Sequence, residues 1–336
     1  MQAIPEDPRH PARDRARDRA RDRARTRDRT RDRTRARDLA PLATSVGTVR
    51  LASAVMTASG TAGHGAELGA YGALGELGAV VVKSLAAHPW PGNAGPRVRA
   101  APGGSMLNRV GLQGPGVGHW LDHDLPALLA QGATVVASIW GRTPEEFGAA
   151  AGALAGVAGV VALEVNVSCP NLAGHMFAHS PSATADAVAA AAAAGVPRWA
   201  KLSPNVADIC EIAGAALGAG AVGLTLVNTL LGMAIDVTGH RKPLAGGLSG
   251  PALHPVAVRA VHDCRRAFPE AGIVGVGGVS SGVDAVELLM AGADAVQVGT
   301  ATFADPRSPW KVQDELSRWC RRRGTTVQEV IGAALR

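Results

Sequence analysis

Residues 161–171 read VALEVNVSCPN. The first half is a nearly continuous apolar run, the pattern of a strand covered on both faces. The second half presents Asn166, Ser168, Cys169 and Asn171 within six positions. Pro170 breaks the strand directly after the thiol. A strand that ends in this way delivers a thiol and two amides to the place where it emerges from the core.

Seven further runs share the design: AVMTAS (54–59), AVVVKS (79–84), ATVVASI (133–139), RWAKLS (198–203), AVGLTLVN (221–228), GIVGVGG (272–278) and AVQVGT (295–300). Between most of them lie Ala-rich segments whose composition suits helices. Eight apolar strands alternating with helices in under 300 residues imply an α/β fold with a parallel sheet, a closed (β/α)8 TIM barrel. An open doubly wound sheet is the competing arrangement. Polar chemistry at the C-terminal end of most runs favours the barrel, whose active face lies at those ends. Residues 85–118 and 229–253 are too long for simple connections, and they leave from the same strand ends. They are expected to form an active-site loop subdomain over the barrel mouth.

The formal charge of +6 is confined to one place. Residues 1–40 hold 14 Arg against 8 acidic residues, which leaves 20 basic and 20 acidic residues in the remainder. The segment ARDRARDRARDRARTRDRTRDRTRARD has no apolar face, and it reads as a disordered low-complexity tail preceding a barrel over 41–336. Asp interrupts the Arg so regularly that nucleic acid and anionic lipid are poor partners for it. No run is apolar and long enough to span a bilayer, and no secretion signal is visible, so the expected location is cytoplasmic and without a membrane. Cys169, Cys210, Cys264 and Cys320 form no CxxC or Cys/His spacing, so no structural metal is expected. The last three read as core residues.

The strand ends carry amides, lysines and glycines, with no carboxylate pair and no His cluster, which weakens carboxylate-based hydrolysis and metal catalysis. Gly277 and Gly278, then Gly299 and Thr300, follow the last two strands. A helix begins near Ser281, and backbone N–H groups there suit a phosphate, although tight turns need the same glycines. Lys201 ends a buried strand and calls for an anionic partner, which a cofactor ring that becomes anionic on reduction would supply. The competing reading is a lysine that reaches solvent at the rim. Lys83 in VVVKSL poses the same choice. Asn108, Asn166, Asn171 and Asn228, brought to one face, would suit a planar ligand with both N–H and C=O groups. Cys169, in an exposed loop, suits a nucleophile or a general base.

These residues occur in the ordered motifs VMTASGT, VVVKSL, PGNAGPR, MLNRVGLQGPG, VNVSCPN, KLSPN, VNTLLGM, GGLSGPALHP, GVGGV and VGTATF. Together they resemble the class 1 dihydroorotate dehydrogenases, most closely the class 1B catalytic subunit, from about residue 46 to 320. The resemblance implies oxidation of dihydroorotate to orotate in pyrimidine (UMP) biosynthesis with flavin mononucleotide, FMN, and with Cys169 as the base. It places Lys83, Asn108, Gly111, Leu112, Asn166, Asn171, Asn228 and Thr229 around orotate. It places Ala58, Ser59, Lys83, Asn166, Lys201, Gly250, Gly277, Gly278, Gly299 and Thr300 on FMN, the last four at its phosphate. Lys83 would bridge flavin and substrate, and Lys201 would stabilise the reduced flavin. It further implies a homodimer that joins an electron-transfer subunit with FAD and a [2Fe-2S] cluster, in a heterotetramer that passes electrons to NAD+. The quinone-linked class 2 enzymes are similar but have Ser where Cys169 stands and an amphipathic membrane helix.

Three other readings compete. Two are flavin barrels acting on other pyrimidines, the dihydropyrimidine dehydrogenase core and tRNA dihydrouridine synthase. The tRNA enzyme would need a basic barrel surface, whereas the charge outside the tail balances. The third is a non-catalytic paralogue with a nucleic-acid-binding tail, against which Cys169, both lysines and the four Asn stand.

Overall fold

The computed structural model describes residues 42–168, 177–240 and 242–336. The tail expected over residues 1–40 therefore lies outside the described residues. A short antiparallel hairpin, β1 (Thr44–Val46) and β2 (Val49–Leu51), opens the described chain. The barrel strands are β3 (Val55–Thr57), β4 (Val80–Val81), β7 (Val135–Ile139), β8 (Val160–Asn166), β9 (Arg198–Lys201), β10 (Gly223–Leu226), β13 (Gly272–Val276) and β14 (Ala295–Val298). Each coincides with one of the eight apolar runs, β8 starting one residue before its run. All ladders between them are parallel, in the order β3-β14-β13-β10-β9-β8-β7-β4. Residues of β7, β10, β13 and β14 are buried throughout, because helices cover the outside and side chains fill the inside.

The seam between β3 and β4 closes around Thr57. Its N–H donates to the Ala79 carbonyl at 3.2 Å, and its Oγ1 accepts from the Val81 N–H at 2.9 Å. Gly78 N–H reaches the Val55 carbonyl at 2.8 Å beside it. A doubly wound open sheet is thereby excluded.

Among the described residues, the longer helices after β7 are α2 (Pro144–Gly152), α3 (Pro181–Ala190), α4 (Ile209–Gly218), α5 (His254–Ala267), α6 (Gly282–Ala291) and α7 (Ser308–Arg323); α1 (Leu125–Ala130) precedes β7. Local chemistry sets their starts. Thr143, Ser180 and Asp208 cap the N–H groups of Glu146, Ala183 and Cys210, and Ser281 with Asp284 forms a capping box. Between β3 and β4 only 3₁₀ turns form, over Glu67–Ala70 and Leu74–Glu76. Seven glycines in residues 60–78 disfavour a longer helix. The Trp310 ring of α7 packs against Gly72, where a Cβ would lie 2.5 Å from it.

The barrel floor is filled from inside by Trp199, which is fully buried. Gly223 on the next strand makes room for the indole, since a Cβ there would meet Trp199 Cδ1 at 2.9 Å. Below it the Gly47 turn of the hairpin presses on Gly272, with no room for a Cβ on either residue. Trp199→Ala is expected to cost about 3–5 kcal/mol of stability. A lowered urea midpoint with an unchanged slope would show it.

The two long excursions are not loops as expected. They supply β5 (Val98–Ala101) and β6 (Ser105–Asn108) from the first, and β11 (Leu230–Ala234) and β12 (Leu244–Ser249) from the second. These pair antiparallel in the order β11-β12-β6-β5, so each excursion folds into a hairpin of its own and the β12–β6 ladder joins the two hairpins into one sheet. Cys264 and Cys320 are buried, as read from sequence, but Cys210 is only half-buried. It stands in the first turn of α4, where the helix surface opens to solvent.

Candidate active site

The C-terminal ends of the barrel strands and the β5-β6-β11-β12 sheet enclose a cavity of about 600 Å³. That size suits a cofactor and a small substrate together. Every candidate that falls among the described residues lines it: Ala58, Ser59, Lys83, Asn108, Gly111, Leu112, Asn166, Lys201, Asn228, Thr229, Gly250, Gly277, Gly278, Gly299 and Thr300. Cys169 and Asn171 lie outside the described residues.

A chain of hydroxyls and amides crosses the cavity. Ser84 Oγ lies 3.2 Å from Ser59 Oγ and 2.9 Å from Ser138 Oγ, and it accepts from Asn166 Nδ2 at 3.2 Å. Asn166 Oδ1 accepts from Asn228 Nδ2 at 3.3 Å and from the Ser168 N–H at 3.2 Å. Asn228 Oδ1 in turn takes the Thr229 N–H at 2.8 Å. The carboxamides on β8 and after β10 are thus held by each other and by residues that follow β4, β8 and β10. From the other side of the cavity Asn108 reaches the Gly247 carbonyl through Nδ2 at 3.3 Å.

Gly111 and Leu112 both have positive φ, 75° and 61°, and Leu112 is the one such non-glycine among the described residues. A leucine in that region is strained, and strain of this kind gathers at ligand clamps. The Trp90 indole fixes the turn by donating to the Gly111 carbonyl at 3.0 Å.

Opposite, Gly250, Gly277 and Gly278 each stand so close to neighbouring chain that a side chain would collide. A Cβ on Gly278 would sit 2.7 Å from His254 Cβ and 3.0 Å from the Gly250 carbonyl oxygen, and its φ is 68°. Thr300 Oγ1 donates to Ser249 Oγ at 2.8 Å beside them. The helix start near Ser281 contributes less than the sequence suggested. Asp284 Oδ2 takes the N–H groups of Ser280 and Ser281 at 2.9 and 2.8 Å, and Glu315 Oε2 takes that of Gly282 at 2.7 Å. The first turn of α6 is therefore already occupied by carboxylates, and an anion site narrows to the two glycine turns and Thr300.

Lys83 is half-buried, and burial with the nearby Arg97 guanidinium lowers its pKa from the usual lysine value. Lys201 is only 5% exposed. Its Nζ lies 3.4 Å from Oε1 of Glu164, so an acidic side chain of the chain itself faces it, which the sequence reading did not foresee. The signal was a carboxylate inside the apolar run of β8. Other wall residues were also missed: Trp90, Trp140 and Arg142 form a stack at the rim, with the Arg142 guanidinium 5.0 Å from the Trp90 ring centre. Asn205, in the KLSPN motif, ties Ser203 to the Thr229 carbonyl.

Among the described residues no helix is long and apolar enough to cross a membrane. The family model for dihydroorotate dehydrogenase matches residues 41–319. The chain is 43% identical over 299 residues to the protein of Trichlorobacter lovleyi named dihydroorotate dehydrogenase B (NAD(+)), catalytic subunit, covering 87% of this chain and 98% of that one. The protein of the same name from Pelobacter propionicus is 42% identical over 292 residues, 85% and 95% of the two chains. The crystal structure of DHODH from Eimeria tenella, in complex with ferulenol, superposes with a TM-score of 0.73 at 22% identity, over 89% of this chain and 90% of that one, a likeness of fold. With the barrel, the cavity and these matches in agreement, the chain belongs to the dihydroorotate dehydrogenase family.

Proposed function

We propose that this chain oxidises dihydroorotate to orotate in pyrimidine biosynthesis, with FMN as the hydride acceptor. The observation that carries this reading is the meeting of Asn108, Asn166 and Asn228 with Lys83 in one cavity whose floor holds Lys201. A pyrimidine ring offers alternating N–H and C=O groups and dihydroorotate adds a carboxylate, which carboxamides and an ammonium match.

The cavity also fits FMN. Gly250, Gly277, Gly278, Gly299 and Thr300 make a wall where backbone could approach a phosphate closely, and Ala58, Ser59, Asn166 and Lys201, which line the same cavity, would hold the isoalloxazine. When bound, the flavin would accept hydride from the substrate carbon. The chain's own contributions are orientation and proton transfer. Asn108, Asn166, Asn171, Asn228, Thr229 and the Gly111–Leu112 turn hold the ring, so that both transfers start from one geometry. Cys169 takes the proton from the neighbouring carbon. Lys83 would bind the substrate and bridge it to the flavin.

The relatives' names include NAD(+) and the words catalytic subunit. Those names support a further subunit beside this chain; that the catalytic chain is a dimer and that the further subunit carries FAD and a [2Fe-2S] cluster is what the resemblance implies. The balanced charge outside residues 1–40 gives no net positive charge to support a tRNA-binding reading of the barrel.

An anaerobic absorption spectrum before and after dihydroorotate tests the core of the reading. A yellow protein that bleaches supports it, and one that stays oxidised moves the substrate to another pyrimidine. Lys83 adds a pH dependence. Its lowered pKa means that its charge is complete at low pH and lost as pH rises through a value below that of an ordinary lysine. Orotate affinity is therefore expected to weaken on the alkaline side in the wild type. Lys83→Gln should bind orotate weakly with a flat profile in the same range, as titration by flavin absorbance would show.

A further inference from the structure

Lys201 does not stand alone on the cavity floor. Behind it, away from the cavity wall, Glu164 is fully buried on β8, with Oε1 3.4 Å from Lys201 Nζ. Its other oxygen, Oε2, accepts from Gln297 Nε2 at 2.8 Å, and Gln297 is itself fully buried on β14. The clamp joins strands 133 residues apart in sequence, through the middle of the barrel. Glu164 Oε1 has no hydrogen bond beyond its approach to the ammonium, and Gln297 Oε1 and the nearby Thr225 Oγ1 are buried without partners.

Stability does not explain this arrangement. Apolar residues of similar volume usually replace a buried ion pair without loss, and incompletely satisfied polar groups at the barrel centre are a cost. What the arrangement does is geometric and electrostatic. Gln297 keeps the carboxylate from swinging toward the cavity. The carboxylate holds the ammonium on one side, which leaves Lys201's remaining donors to face a ligand. It also offsets part of the positive field that Lys201 projects into the cavity.

We propose that Glu164, clamped by Gln297, is a positioning residue that sets the reduction potential of the flavin by holding and partly neutralising Lys201. The proposal rests on the flavin reading above. A reduced flavin is richer in electrons than the oxidised one, so a stronger positive field from Lys201 favours it. Removing the carboxylate's charge therefore raises the potential.

The test is a dye-equilibrated anaerobic titration of FMN bound to the full chain. Glu164→Gln keeps the size and a hydrogen-bonding amide. It is expected to shift the reduction equilibrium toward reduced flavin about tenfold, which is ~30 mV for a two-electron couple. Glu164→Asp keeps the charge but withdraws it, so its potential should fall between the two. In a Lys201→Met background, Glu164→Gln should move the potential much less, because the lysine through which it acts is gone. An unchanged potential in flavin-loaded Glu164→Gln overturns the proposal, as does a shift that persists in full without Lys201. Should Glu164→Gln not fold, Glu164→Asp decides, and a potential equal to or below that of the wild type overturns the role. A wild-type chain that takes up no FMN fails the flavin reading itself, a result distinct from loaded variants with unmoved potentials.

Discussion

Cys169→Ala is expected to slow reduction of bound flavin by dihydroorotate by about 10²–10⁴-fold, the span that a positioned general base supplies. FMN and orotate should bind nearly as before, since the amides and lysines of the cavity remain. The expectation follows from how the chain is led to residue 169. Asn166 Oδ1 takes the Ser168 N–H at 3.2 Å, and Ser168 Oγ donates to the Lys201 carbonyl at 3.5 Å, so the last described residues of this strand end are tied to the cavity. Stopped-flow reduction under nitrogen measures the rate directly. A variant reduced as fast as the wild type would remove Cys169 from the proton transfer and point to a base elsewhere in the cavity.

The second large effect is on stability. Lys201→Ala leaves Glu164 fully buried without its cation, and stranding one member of a buried pair costs about 3–5 kcal/mol. The chain should also retain less flavin. Adding Glu164→Gln to Lys201→Ala removes the stranded charge and should recover most of the stability but not the flavin. Urea unfolding of the three FMN-free chains separates these effects. A single variant as stable as the wild type would mean that stability does not depend on the contact between Lys201 and Glu164.

The barrel was legible because its strands are buried on both faces, so each reads as an uninterrupted apolar run such as VVASI or GIVGV without regard to its neighbours. The second sheet was not. The burial of β11 alternates between half-buried and exposed, and β12 contains Gly246 and Gly247, so neither segment reads as a strand, and the partner that joins their hairpin to the sheet, β6, is distant in sequence. Those glycines are required by close approach, since a Cβ on Gly246 would lie 2.3 Å from the Asn108 carbonyl oxygen. Asn166, Asn228 and Lys201 could be read as site residues because they end apolar runs. Glu164 sits two residues inside such a run, and its role depends on a contact with Gln297 that no local pattern displays. The α6 start misled for a related reason, because Glu315, which occupies the Gly282 N–H, comes from α7.

The sheet that roofs the cavity has one more implication, for inheritance and for engineering. Asn108 is positioned by residue 247, 139 places along the chain, and Gly246 is shaped to admit the Asn108 backbone. Neither excursion is a module by itself. A chimera that takes residues 85–118 from one homologue and 229–253 from another would join two halves of a roof cut to different patterns, even with every barrel strand intact. Crossovers between homologues should therefore survive where they leave both excursions with one parent, and a library of recombinants sorted by flavin content would reveal the two segments travelling together.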